Sequence, residues 1–185
     1  MTLENLQLPL ATMLDLASGD MDPYALVVER RLSHMAEAYH DRAAVTAAAG
    51  EDPVIYRAYE ADVPHEASQL VYRMTIIEPG RIGDEFYMTK GHHHVVDSGE
   101  FYLGTAGTGA VVMQTRSGEV RVEEMPPGRA VYVPPGWAHR SVNVGTEPFV
   151  FLAVFFGNAG HDYASIERDG FAVRVLADGD GYRVG

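Results

Sequence analysis

Three consecutive histidines, His92, His93 and His94, precede Glu100, and a further histidine, His139, closes the run Gly136-Trp137-Ala138-His139. Imidazole and carboxylate are strong ligands for divalent metals. On a β-strand, residues two apart leave the same face, so His92 and His94 can reach one ion while Glu100 and His139 approach from neighbouring strands. His93 then faces the other way and reads as a surface or loop imidazole. A His-x-His pair alone is weak evidence, and the reading depends on what surrounds it.

The strands that would carry these ligands are visible as short β-rich runs: 54–59, 69–77, 85–89, 100–104, 110–114, 120–125, 130–133 and 149–156. Glu78-Pro79-Gly80, Ser117-Gly118, Pro126-Pro127-Gly128 and Pro134-Pro135-Gly136 punctuate them as turns. Many short strands with few helices between them predict an antiparallel sandwich or small barrel, mainly β in class. The run 171–176, the Asp178-Gly179-Asp180-Gly181 turn and 182–184 predict a terminal hairpin. Before the strands, Asp22-Pro23 reads as a cap and first turn, and Val28, Leu32, Met35, Tyr39 and Ala43 recur at helical spacing, which predicts one amphipathic helix from residue 22 to about 49. Residues 1–52 are read as an N-terminal arm of the same domain, and 53–185 as the barrel with its hairpin.

Composition narrows the chemistry. The 185 residues include no cysteine, which removes thiolate nucleophiles, disulfides and sulfur-ligated metals. A net charge of −12 with no Lys/Arg cluster argues against a nucleic-acid surface. The first sixteen residues carry Glu4 and Asp15 and no basic region, so no signal peptide is read there, and no apolar run approaches the roughly 20 residues of a membrane span. A cytoplasmic location is expected.

The motifs then fall into a pattern. Glu100-x6-Gly107 and Gly128-x5-Pro134-x-Gly136-x2-His139-x3-Asn143 resemble the two motifs of the cupin superfamily, the first departing only in the glycine expected before the His pair. The resemblance implies a jelly-roll β-barrel with a metal held by His92, His94, Glu100 and His139. That donor set suits Fe(II), expected first, or Mn(II), Ni(II) or Zn(II), and leaves two adjacent octahedral positions for substrate oxygens.

A narrower resemblance rests on Thr89-Lys90-Gly91-His92-x-His94, Glu100-x-Tyr102, the stretch Val131 to Arg140 with Asn143, and Ala159-Gly160-His161-Asp162-Tyr163. Over residues 75–171 the chain is similar to the cupin-type glucose-6-phosphate isomerases of archaea and some bacteria. This implies a metal-dependent aldose-ketose isomerase of sugar phosphates. The resemblance then places Glu100, His161 and Tyr163 beside the substrate as candidate proton carriers or hydroxyl contacts, with Glu100 a ligand first and a base second. Thr75, Thr89, Lys90, Gly91, Tyr102 and Gly160 are the groups expected to hold the substrate and its phosphate; Lys90 is the only lysine in the chain. A homodimer is the default assembly. Two departures stand out: one residue fewer between His94 and Glu100, and Phe155 where the family carries a tyrosine, which removes one hydroxyl contact. The same ligands would serve an Fe(II) dioxygenase, and loss of turnover would leave a sugar-phosphate sensor; the Gly-His-Asp-Tyr segment favours the isomerase. Trp137 is read as packing, Tyr39 as core, and His34, His40 and His65 as solvated.

Overall fold

Strand pairing organises the chain, and the computed structural model describes residues 8–185. Glu4 and the start of the expected arm lie outside the described residues. β1 (Met13–Leu14) and β2 (Met21–Asp22) form a ribbon, followed by β3 (Leu26–Arg31), α1 (Leu32–Met35), a 3-10 turn at Ala36–Ala38 and α2 (Arg42–Ala48). Then come β4 (Val54–Glu60), β5 (Leu70–Ile77), β6 (Arg81–Ile82), β7 (Glu85–Phe86), β8 (Glu100–Ala106) and β9 (Gly109–Thr115). The remainder is β10 (Val120–Met125), β11 (Ala130–Val133), β12 (Trp137–Asn143), β13 (Phe149–Phe156), α3 (Tyr163–Asp169), β14 (Val175–Asp178) and β15 (Gly181–Val184).

The main sheet runs β11-β8-β13-β5-β4-β3, and a second runs β10-β9-β12. All pairs are antiparallel, as the short runs and tight turns require. One apolar core joins the two sheets, drawing Tyr102, Phe149 and Phe151 from the first and Val111 and Met113 from the second. Burying each large apolar side chain contributes about 1.5–3 kcal/mol. The mainly β class holds, but strand pairing does not run from one sheet into the other, so the jelly roll is not closed as a barrel. Asn143 ties the end of β12 into this core. Fully buried, it donates to Ile77 O and Glu147 O at 2.9 Å each and accepts from Gly145 N, so its amide is satisfied on both sides.

The single helix expected over 22–49 does not form. Residues 26–31 instead add β3 to the edge of the main sheet, paired with β4, and two short helices follow. Leu32, Met35 and Tyr39 are buried as the spacing implied, yet Val28 is only half-buried and Ala43 is exposed. Ladder bonds to β4 outweigh helical spacing in Leu-Val-Val, a β-favouring run. The helix cap is Asp41, whose carboxylate accepts from Ala44 N at 2.9 Å, rather than Asp22. Other boundaries shift: the strand expected over 85–89 ends at Phe86, and the terminal hairpin begins at Val175 rather than Phe171. β12 and α3 were not among the expected elements.

Candidate metal centre

Glu100 is the first residue of β8, flanked by Val133 of β11 and Phe155 of β13. His139 lies within β12, and His92 exchanges backbone hydrogen bonds with it, His92 N to His139 O at 3.2 Å and His139 N to His92 O at 3.0 Å. The chain around Thr89 continues this pairing, Thr89 N donating to Ser141 O at 2.9 Å. Gly91 permits the approach: its φ is +75°, and a Cβ there would stand 2.6 Å from the Phe171 ring and 3.0 Å from His139 O.

Ligand atoms of His92, His94, Glu100 and His139 all lie within 4.8 Å of one another. His94 Nδ1 is 2.8 Å from Ser98 O, to which it can donate, which turns Nε2 toward the cluster, 3.0 Å from Glu100 Oε2. His139 Nε2 is 3.1 Å from the same oxygen, yet neither it nor His92 Nε2 has a hydrogen-bond partner, and both are buried. A buried polar atom left unpaired costs about 1–3 kcal/mol. One divalent cation would satisfy both nitrogens, so the donor set fits such an ion.

The electrostatics agree. Burial alone would raise the Glu100 carboxyl, but the nearby His139 ring and the hydrogen bond from His94 hold it well below the usual range, so it stays ionised. Burial, then the neighbouring His139, keeps His92 neutral, well below an ordinary imidazole. Both are the protonation states that a metal ligand requires.

Beside this cluster lies a cavity of about 60 Å³. Its wall brings together Thr75, Thr89, Lys90, Gly91, Tyr102, His161 and Tyr163 with His92, Glu100 and His139. Burial, followed by the positive charge of Arg73, lowers His161 to about 4, so it is a neutral imidazole at neutral pH. It stacks on Tyr163 with ring centroids 5.6 Å apart and stands 4.3 Å from the His92 ring. Burial, then the Glu100 charge, pushes the Tyr102 phenol well above its ordinary value, so it remains a donor. Asp162 does not face the cavity chemistry: it caps α3, accepting from Ser165 N at 3.1 Å, and pairs with Arg116.

One expected residue lies outside the cavity wall, and others have partners that the sequence did not show. Gly160 is not in the wall; at φ +64° its missing Cβ leaves room for Val95, 3.0 Å away. Lys90 pairs with Glu167 at 2.5 Å and lies over the Tyr163 ring. Trp137 packs half-buried against the core and does not reach the cavity. His93 stays outside the ligand cluster but is buried rather than superficial, because its backbone pairs with Asp162 and draws the residue under that segment. His40 and His65 are not free in solvent: they stand 3.0 Å from Glu85 and 2.8 Å from Glu60, both buried carboxylates that need partners. His34 accepts from Arg31 N at 3.1 Å. Sequence reasoning missed Arg73 and Tyr56 in the cavity wall. Arg73 precedes Thr75 by two on β5, so strand alternation alone would have placed both on one face.

The antiparallel β fold thus converges three imidazoles and one carboxylate that could hold a metal ion, beside a hydroxyl-lined cavity. The glucose-6-phosphate isomerase family model matches residues 29–184. Proteins named glucose-6-phosphate isomerase are similar to this chain: that of Thermococcus onnurineus is 40% identical over 177 residues, 95% of this chain and 93% of the relative. The Pyrococcus furiosus protein is 42% identical over 80% of each chain, and that of Sinorhizobium medicae 35% identical over 94% of this chain and 83% of the relative. The chain therefore belongs to the glucose-6-phosphate isomerase family. Among solved structures, oxalate decarboxylase from Bacillus subtilis aligns over 57% of this chain and 26% of its own, at 23% identity and a TM-score of 0.45.

Proposed function

We propose that the protein interconverts glucose 6-phosphate and fructose 6-phosphate, with one divalent metal held by His92, His94, Glu100 and His139. The observation that carries this reading is the pair of buried, unpartnered Nε2 atoms on His92 and His139, facing the ionised Glu100 in a chain of this family. When bound, the metal would supply Lewis-acid polarisation of a substrate carbonyl. Fe(II) is the first candidate, with Mn(II), Ni(II) and Zn(II) as rivals.

The remaining work falls to the chain's own groups. His161, neutral and half-buried beside His92, is suited to exchange a proton with a substrate hydroxyl. Tyr163 orients it by stacking and presents its own hydroxyl. Tyr102 remains protonated and donates to the oxygen on which negative charge develops. Glu100 acts as ligand first. Thr75, Thr89, the Gly91 N–H and Lys90 are assigned to the phosphate, hydroxyls and backbone N–H groups being good donors to its oxygens. At about 60 Å³ the cavity is far below the roughly 300–1,000 Å³ of ligand pockets, so entry of a sugar phosphate requires its wall to open. We further propose a homodimer in the cytoplasm. No helix among the described residues is long and apolar enough to cross a membrane.

Chelator-stripped protein reloaded with Fe(II), Mn(II), Ni(II) or Zn(II) and given fructose 6-phosphate tests the reading. Formation of glucose 6-phosphate that depends on the added metal supports it. Sugar-phosphate binding without turnover under every metal would instead favour a sensor, and oxygen consumption a dioxygenase.

A further inference from the structure

Arg73 is a cavity-wall cation without an assigned role. Strand register shows where it stands. Inward residues of the main sheet form three rows: Glu100, Phe155 and Val71; then Tyr102, Ala153, Arg73 and Glu60; then Gly104, Phe151, Thr75 and Ala58. Rows are roughly 7 Å apart along the strands. The first holds a metal ligand, and the third holds Thr75, assigned above to the phosphate. Arg73 lies between them, separated from Tyr102 only by Ala153, whose methyl group leaves the row open.

The guanidinium is held firmly. Its Nε donates to Glu60 Oε2 at 3.0 Å, and Nη2 reaches the same oxygen. Glu60, 5% exposed at its side chain, is met from the other side by His65, and the guanidinium lies over the Phe155 ring, 5.1 Å from its centroid. Nη1 makes no hydrogen bond to any described residue. Glu60 thus compensates the charge and takes the Nε–Nη2 edge of the fork, leaving the N–H groups of Nη1 free to donate. With its charge compensated by Glu60, Arg73 suits a neutral hydroxyl better than a phosphate dianion, which would require uncompensated charge.

We infer that Arg73 is a specificity-determining residue that donates to a hydroxyl in the middle of the sugar chain, between the metal-bound end and the phosphate. The inference rests on the proposed sugar-phosphate function.

Replacing Arg73 alone would strand Glu60 as a buried charge, so the decisive variant is the double replacement Arg73→Met with Glu60→Gln, with Arg73→Lys as the conservative companion. In metal-loaded protein, the KM for fructose 6-phosphate should rise on the order of ten- to a hundredfold in the double variant, the usual loss of a charge-assisted hydrogen bond. It should rise less in Arg73→Lys. The inhibition constant of inorganic phosphate and the metal content should stay within about twofold of wild type, which merely structural damage would not allow. An unchanged KM overturns the inference, as does a parallel rise in the phosphate inhibition constant, which would make Arg73 a phosphate group. If wild-type protein does not isomerise the sugar phosphate, the functional reading falls. The same comparison by calorimetric affinity then decides Arg73: weakening for fructose 6-phosphate but not for inorganic phosphate supports it, and equal affinities overturn it.

Discussion

The metal-facing and substrate-facing halves of the cavity are held by different means. Glu100 and His139 sit in ladders: β12 pairs with β9 over all its residues from Trp137 to Asn143, and Glu100 is flanked by strands on both sides. His161 and Tyr163 sit where β13 gives way to α3, a helix of 7 residues. That segment is tied by the backbone hydrogen bonds exchanged between His93 and Asp162, by the Asp162 cap, by Arg116, whose side chain is 60% exposed, and by the Lys90–Glu167 pair. Ladder bonds cooperate and fix donors; partly exposed ion pairs contribute only about 0–1 kcal/mol each. The contrast puts Glu100 and His139 in the more firmly held half of the cavity.

The sharpest break of that contrast is His139→Ala. It removes a donor from the rigid half, so bound metal measured by elemental analysis should be lost, and activity should fall by more than the roughly 10–100-fold that follows loss of an outer-shell partner. Circular dichroism should stay near wild type, because the β12 ladder uses backbone groups. Asp162→Ala acts on the other half. Losing a helix cap costs about 0.5–2 kcal/mol, so kcat/KM should drop about tenfold while one metal per chain is retained.

Acid titration probes the sheet wall between the two halves. Burial raises Glu60, but the Arg73 charge and hydrogen bond, with those of His65, outweigh it and hold the carboxyl below its usual value. Its contribution to stability is therefore fully present above the ordinary carboxylate range and is lost as pH falls through the lower folded value. Melting temperatures followed from pH 7 to pH 3 should decline more shallowly in Glu60→Gln than in wild type; equal slopes would remove Glu60 from the acid response. The smallest effect is expected from Glu167→Gln. The pair it breaks is half-exposed, so stability should change by less than about 1 kcal/mol, and the KM for fructose 6-phosphate by only a few-fold. A large rise in KM would show that Lys90 depends on Glu167 for its position.

Much of the site was legible because its signals are local. His92 and His94 share a face by alternation, and Gly136 and the prolines before it announce the bend that delivers His139. Arg73 was legible by the same alternation from Thr75, but a lone arginine in a strand carries no motif and passes as a solvated surface charge. His93 was misread for the opposite reason: its burial comes from Asp162, far along the chain, and no nearby residue reports it. The stretch 22–49 failed because Val28, Leu32 and Met35 satisfy helical spacing, while its pairing with β4 is non-local.

The amino-acid sequence by itself determined the ligand types, their two-residue spacing, the absence of thiolate chemistry and the mainly β class. These follow from side-chain chemistry and from the period of the backbone, which short windows contain. Tertiary structure alone decided that β3 completes the main sheet, that His40 meets the buried Glu85, that the Nε2 atoms of His92 and His139 lack partners, and that Arg73 stands level with Tyr102. Each depends on contacts between segments far apart in the chain; where strand register makes them, a shift of one residue would send every side chain to the opposite face.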